Sequence, residues 1–221
     1  MKELLLPQRW WRSLKREWLL YHLGDPEFRF MFEPPPPNEW VAIDCETTGL
    51  NVRSDEIISI GAVRIVGNRI MTSQRLELLI RPEHGVSADS VVIHRLRERD
   101  LERGLGAEEA VKKLMRFIGA RPLVGYYLEF DVAMLHRVIW PILGQGLPQP
   151  KVEVSALYYD YKFRQLPPYQ QQASADIDLR FATLMADLGL PLRDAHDALN
   201  DAVMAALAFI KLRQLRERKA G

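Results

Sequence analysis

Two acids close an apolar run in the stretch WVAIDCETTGL, residues 40–50. Burying a carboxylate costs free energy unless something compensates its charge. Residues two apart in a strand share a face, so Asp44 and Glu46 project together while Cys45 turns the other way, into packing. Side-by-side like charges repel. A divalent cation between them removes the repulsion, and oxygen-only ligands suit a hard ion such as Mg²⁺ or Mn²⁺. Read alone, the pair fits better as two solvated acids at a surface strand end. The turn that follows, Thr47-Thr48-Gly49-Leu50, has backbone amides and hydroxyls to offer a ligand.

A metal site needs more acids. Asp131 lies in VGYYLEFDVAML, in the first turn of a helix that follows an apolar strand. An acid there also has the ordinary role of favouring a helix N-terminus. Asp201 lies in AHDALNDAVMAAL, on a helical face shared with Ala198, Ala205 and Ala208. Read alone, Asp201 fits better as a plain exposed acid, but small residues on that face would let the helix lie close to a sheet and bring Asp201 to Asp44. His196 precedes Asp201 by five positions, a rotation of about 140° in a regular helix, so the two do not share a face. His196 belongs in or just before the first turn, where a lone histidine is most often structural but its ring can swing toward the same site.

The elements that must position these residues are legible as patterns. Gln8 to His22 reads as a helix with Trp11, Leu14, Trp18 and Tyr21 on one stripe, which should pack on the domain or on a partner. Gly24-Asp25-Pro26 stops it, and EPPPPN, residues 33–38, is a stiff linker and boundary. Strands are expected over Trp40–Cys45, Ile57–Val66 and Ile70–Ile80, the last two joined by a Gly67-Asn68 hairpin. Helices follow over Ala88–Glu102 and Ala107–Gly119, then a short strand over Pro122–Gly125. A helix over Glu129–Ile139 is ended by Pro141, and Lys151–Val154 is a fifth strand. Leu166–Ser174 reads as a loop. Helices over Ile177–Leu188 and Asp197–Arg216 complete the chain, the last with Leu199, Val203, Leu207 and Ile210 toward the core. A three-strand meander followed by alternating helix and strand implies a mixed sheet with helices packed on it.

Composition bounds the answer. The 221 residues, 48% of them hydrophobic, suit one sizeable α/β domain with an appendage. No apolar run spans a bilayer and no signal peptide opens the chain, so a cytoplasmic location with no membrane is the default. The single cysteine rules out an internal disulfide framework and a cysteine zinc site. Thirty basic residues against 29 acidic ones neither invite nor exclude nucleic acid. The two basic segments, QRWWRSLKREW and KLRQLRERKAG, read most plainly as solvated helix faces.

Taken in order and at these separations, DCETTGL, LVGYYLEFDVAML and HDALNDA resemble the DnaQ-like 3′–5′ exonucleases of the DEDDh group. SVVIHRLRERDL resembles the family's segment around a histidine, with His94 at that position. The resemblance covers roughly Trp40 to Leu212. It implies a ribonuclease H-like α/β fold: a five-stranded mixed sheet with strands one to three antiparallel and helices on both faces. The N-terminal helical extension and Pro-rich linker (1–38) would precede an exonuclease domain over 39–221.

It also implies a catalytic set of Asp44, Glu46, Asp131, His196 and Asp201. The four acids would hold two Mg²⁺ or Mn²⁺ ions about 3.5–4 Å apart, with Asp44 bridging, and His196 would be the general base. Thr47, Thr48, Gly49, Leu50 and His94 would bind the 3′-terminal nucleotide. The implied reaction is release of nucleoside 5′-monophosphates from the 3′ end of single-stranded nucleic acid, DNA first, in proofreading or repair. An RNA- or oligoribonucleotide-trimming enzyme is the other enzymatic reading. A binding scaffold on an inactive nuclease fold is the reading of another class, opposed by the intact five-residue set. The extension offers a surface to a protein partner. Tyr126-Tyr127 stand where family members often carry His-Asn, and Val154-Ser155 where Asp-Thr is expected.

Overall fold

A computed structural model describes residues 14–85, 95–172, 176–193 and 197–220. Within them, β1 (Glu39–Thr47), β2 (Ile57–Val66), β3 (Arg69–Leu79), β4 (Leu123–Gly125) and β5 (Lys151–Glu153) form one sheet in the order β3-β2-β1-β4-β5. β1, β2 and β3 pair antiparallel, while β4 runs parallel to β1 and β5 to β4. This is the expected mixed sheet.

Alternation along β1 sorts the molecule into two cores. Val41, Ile43 and Cys45 face one side, where they meet α3 (Ala107–Ile118) and α4 (Leu128–Leu143). Ala42 faces the other, with α5 (Val154–Phe163), α6 (Phe181–Asp187) and α7 (Ala198–Ala220). Asp44 and Glu46 continue the second face, as period-two geometry requires.

Gly61 decides how closely α7 approaches. A Cβ there would lie 2.1 Å from the Ala198 carbonyl carbon and 2.2 Å from the Leu199 nitrogen, closer than atoms can pack. Only a glycine lets the first turn of α7 rest on β2. Ala198, Ala202, Ala205, Ala206 and Ala208 are all buried beneath the helix.

The N-terminal segment is tied to the first core. Residues 14–21 form helix α1, and a 3-10 helix, η1, spans Pro26–Phe32. Phe28, Met31 and Phe32 of η1 are buried among the residues of β1, α3 and α4. The α1 side that packs carries Leu19 and Leu20, with Leu23 just beyond. Of the two settings expected for the aromatic stripe, packing on the domain is not made by Trp18, 61% exposed, or Tyr21, 86% exposed, which leaves them to a partner. Trp11 lies outside the described residues.

Four expectations are corrected. α4 runs through Pro141 to Leu143. The proline removes one hydrogen bond in the last turns, and the stop is Gly144 at φ +69°, whose N–H donates to Trp140 O at 2.8 Å. Of the helix expected over 88–102, the described part begins at Arg95, whose φ is +59°, and is helical over α2 (Glu98–Leu101), capped by Asp100 accepting the Arg97 N–H. Residues 86–94 lie outside the description. α6 starts at Phe181, and before it Asp178 accepts the Arg180 N–H at 3.0 Å and the Thr183 hydroxyl at 2.8 Å, so that 177–180 lie outside the helix. α5 was not anticipated. Glu153 caps it by accepting the Ser155 N–H at 3.0 Å. No described helix is long and apolar enough to cross a membrane.

Candidate active site

The C-terminal end of β1 presents Asp44 and Glu46, and a register shift between Glu46 and Thr47 ends regular pairing there. Such irregularities re-aim side chains at strand ends. α7 brings Asp201 in its first turn, and the Asp201 N–H donates to Asp197 O at 2.9 Å. Asp197 caps the helix by accepting the Asn200 N–H at 2.8 Å. The result is that carboxylate oxygens of Asp44, Glu46 and Asp201 lie within 4.8 Å of one another.

Asp131 stands beside that trio in the first turn of α4. Its Oδ1 accepts the Cys45 N–H at 3.1 Å, and its side chain is buried. One hydrogen bond thus locks the helix to the strand between the two acids of β1.

The electrostatics are those of acids crowded away from water. Burial, then the charges of Asp131, Asp201 and Glu46, pushes Asp44 well above the usual carboxylate range. Burial with Asp201 and Asp197 pushes Glu46 up to about 7. Burial pushes Asp131 up to about 8, against the pull of the Cys45 N–H. No Lys or Arg forms an ion pair with Asp44, Glu46 or Asp131 among the described residues. A site made only of hard oxygen donors, with surplus negative charge and no basic partner on these three, fits divalent cations such as Mg²⁺ or Mn²⁺.

The Thr47–Leu50 turn is braced from several directions. Thr47 Oγ1 donates to Gly49 O at 2.7 Å. Thr48 exchanges two bonds with Glu56: its N–H donates to Glu56 O, and its hydroxyl accepts the Glu56 N–H, both at 2.9 Å. A Cβ on Gly49 would lie 2.4 Å from Asp55 Oδ2, which accepts the Asn51 N–H. Leu50 projects from this fixed turn with 85% of its surface exposed. His94 and His196 lie outside the described residues.

Several supporting residues escaped the sequence reading. Arg137 Nη1 donates to Val52 O at 3.0 Å and Asp55 O at 2.6 Å, clamping the loop after the turn. Glu56 also accepts from His84 Nδ1 at 2.8 Å, which fixes the chain after β3. These partners lie 28 to 85 residues apart, so no local pattern announces them.

A family model described as "Exonuclease" matches residues 41–209. The PolC-type DNA polymerase III of Thermotoga maritima is 29% identical over 182 residues, which is 81% of this chain but 12% of that polymerase. The chain therefore spans a small part of that relative's length. The DNA polymerase III subunit epsilon of Treponema pallidum is 30% identical over 163 residues, covering 74% of this chain and 71% of the subunit. Among solved structures, a zinc-bound complex of E. coli ExoI with single-stranded DNA superimposes with a TM-score of 0.67 at 15% identity, over 83% of this chain and 42% of that one. That likeness is one of fold, and it makes the sheet described above ribonuclease H-like.

Proposed function

The chain belongs to the exonuclease family, and on that premise we propose that it is a metal-dependent 3′–5′ exonuclease. It hydrolyses the terminal phosphodiester bond of single-stranded nucleic acid, DNA by preference, and releases nucleoside 5′-monophosphates. The observation that carries this reading is the convergence of Asp44, Glu46 and Asp201 within 4.8 Å, with Asp131 locked alongside. Acids so placed repel a phosphodiester unless cations mediate, so a scaffold that only bound nucleic acid would gain nothing from them.

Asp44, Glu46, Asp131 and Asp201 are the residues that would hold two divalent cations, Mg²⁺ or Mn²⁺. Bound there, such ions supply positive charge for the attacking and departing oxygens of an in-line displacement. His196 takes the proton of the attacking water, since an imidazole with its ordinary pKa near 6.5 accepts protons around neutrality. The Thr47–Leu50 turn and His94 hold the terminal nucleotide, with Leu50 against a base. The turn's internal hydrogen bonds favour this role, because a rigid turn loses little freedom on binding.

The relatives' names, a PolC-type polymerase and a polymerase subunit epsilon, support DNA as the strand and proofreading or repair as the setting. The E. coli complex supports a single strand. Residues 1–38 stand as an extension of the 39–221 catalytic domain. Its exposed Leu14, Trp18 and Tyr21 suit a protein partner. The test is digestion of matched DNA and RNA oligonucleotides with Mg²⁺ or Mn²⁺ and with chelator. Cation-dependent release of deoxynucleoside monophosphates supports the proposal. Faster digestion of RNA reverses the substrate assignment, and no release at all leaves the binding scaffold.

A further inference from the structure

Tyr127 occupies a backbone conformation that an aromatic residue rarely adopts, φ +52° and ψ +35°. It immediately precedes α4, the helix that carries Asp131. Glu153, at the end of β5, holds it there. Glu153 Oε1 accepts the Tyr127 N–H at 3.0 Å, and Oε2 accepts the Leu128 N–H at 2.8 Å. Leu128 is buried, whereas Tyr127 is 56% exposed.

Strand register shows where the ring stands. Val41 pairs with Leu123 and Ala42 with Val124, so continuing the register sets Ile43 level with Gly125 and Asp44 level with Tyr126. A Cβ on Gly125 would lie 3.2 Å from Ile43 O, which confirms the close approach. The two tyrosines therefore leave the sheet beside Asp44.

Three rings stand in series at that edge. Phe181 stacks on Tyr126 with centroids 4.4 Å apart and planes at 24°. Tyr127 meets Tyr126 at 4.5 Å and 60°. The Tyr126 hydroxyl donates to Leu179 O at 2.9 Å. Tyr126 is thus anchored between the other two rings, and Tyr127 leans on it with just over half of its own surface exposed. Backbone strain that the surroundings enforce is characteristic of functional sites, and here it sets an aromatic face outside the core.

We propose that Tyr127 is a stacking platform for a nucleobase of the strand whose 3′ end enters the carboxylate site, with Tyr126 and Phe181 as its backing. This rests on the nuclease reading above. Every base has a π-face, so such a platform binds a single strand without regard to sequence. It is a positioning residue and takes no part in the chemistry.

Tyr127→Phe, Tyr127→Ala and Tyr127→Gly separate ring from backbone, because glycine adopts positive φ without strain. Steady-state rates are measured on a single-stranded DNA oligonucleotide, and on a set in which one abasic position is moved through the last few 3′ nucleotides. Tyr127→Phe should match wild type. The Ala and Gly variants should raise KM by about 5- to 150-fold, the range spanned by base–aromatic stacking, with kcat little changed. An abasic nucleotide at one position should penalise wild type similarly and add nothing in the Gly variant. Melting of Tyr127→Gly should be no lower than wild type. The proposal is overturned if Tyr127→Gly leaves KM unchanged, if its effect adds to every abasic penalty, or if only Tyr127→Ala is impaired. Absence of turnover in wild type would overturn the nuclease reading instead. Stacking is then judged by fluorescence anisotropy of the same oligonucleotides, where loss of the ring must weaken binding.

Discussion

Gly61 stands opposite Asp44 in the β1–β2 register, and the space where its side chain would be is filled by the backbone of Ala198 and Leu199. The empty position is what lets α7 deliver Asp201 to Asp44. Gly61→Ala should therefore displace the first turn of α7. Overpacking of this kind costs about 1–3 kcal/mol, and turnover should fall with it. Thermal melting and nuclease assays on one sample check this. A variant with wild-type melting and turnover would show that the approach is not tight.

Asp44→Asn keeps the shape and removes one charge from a crowded group. Without its charge the metal-free fold should be as stable as wild type or more so, because repulsion from Asp131, Asp201 and Glu46 is relieved. Turnover should drop by about 10²–10⁴-fold, the rate equivalent of several kcal/mol of lost charge stabilisation. Denaturation in chelator and turnover in Mg²⁺ measure the two effects separately.

Stability should depend on pH in a stated direction. Glu46 keeps its proton to about pH 7 in the folded protein, against 4.5 for the ordinary side chain. Asp131 keeps its proton to about pH 8, against 3.8. Across those windows the unfolded chain has lost protons that the folded protein retains, so stability falls as pH rises. In chelator the melting temperature should decline from about pH 5 to pH 8. Mg²⁺ or Mn²⁺ should raise it more at pH 8 than at pH 5, since ligands must be deprotonated to bind. A melting temperature indifferent to either ion at pH 8 would contradict the metal assignment.

His196→Ala should cut turnover by about 10²–10⁴-fold, the usual scale for a lost general base. Metal affinity and oligonucleotide binding should change little. The wild-type rate should rise with pH as the imidazole deprotonates, and that limb should weaken in the variant. Loss of metal binding with normal turnover at saturating metal would assign His196 to the ligands instead.

Phe28 is fully buried in the first core although it precedes the linker. Phe28→Ala should cost about 3–5 kcal/mol, as for other buried aromatics. Urea unfolding reads the loss. A cost below about 1 kcal/mol would mean that η1 packs only loosely on β1, α3 and α4.

Much of this protein was legible without coordinates, and the legible parts share a cause. Period-two alternation placed Asp44 and Glu46 on one face and Cys45 on the other, because side-chain direction in a strand depends only on position along it. The Gly67 hairpin and the alanine face around Asp201 were readable for the same reason: each rests on neighbours within a turn or two. What tertiary structure decided involves partners far apart in the chain. The Cys45 amide on Asp131 and Glu153 beneath Tyr127 are contacts that no window of sequence contains. The choice of side on α1 is another such case, since Leu19, Leu20 and Leu23 pack on the core while Trp18 and Tyr21 stay exposed. Local stiffness writes a pattern into sequence. Close packing between distant segments chooses among the surfaces those patterns offer, and that choice brought Asp44, Glu46 and Asp201 together with Asp131 alongside.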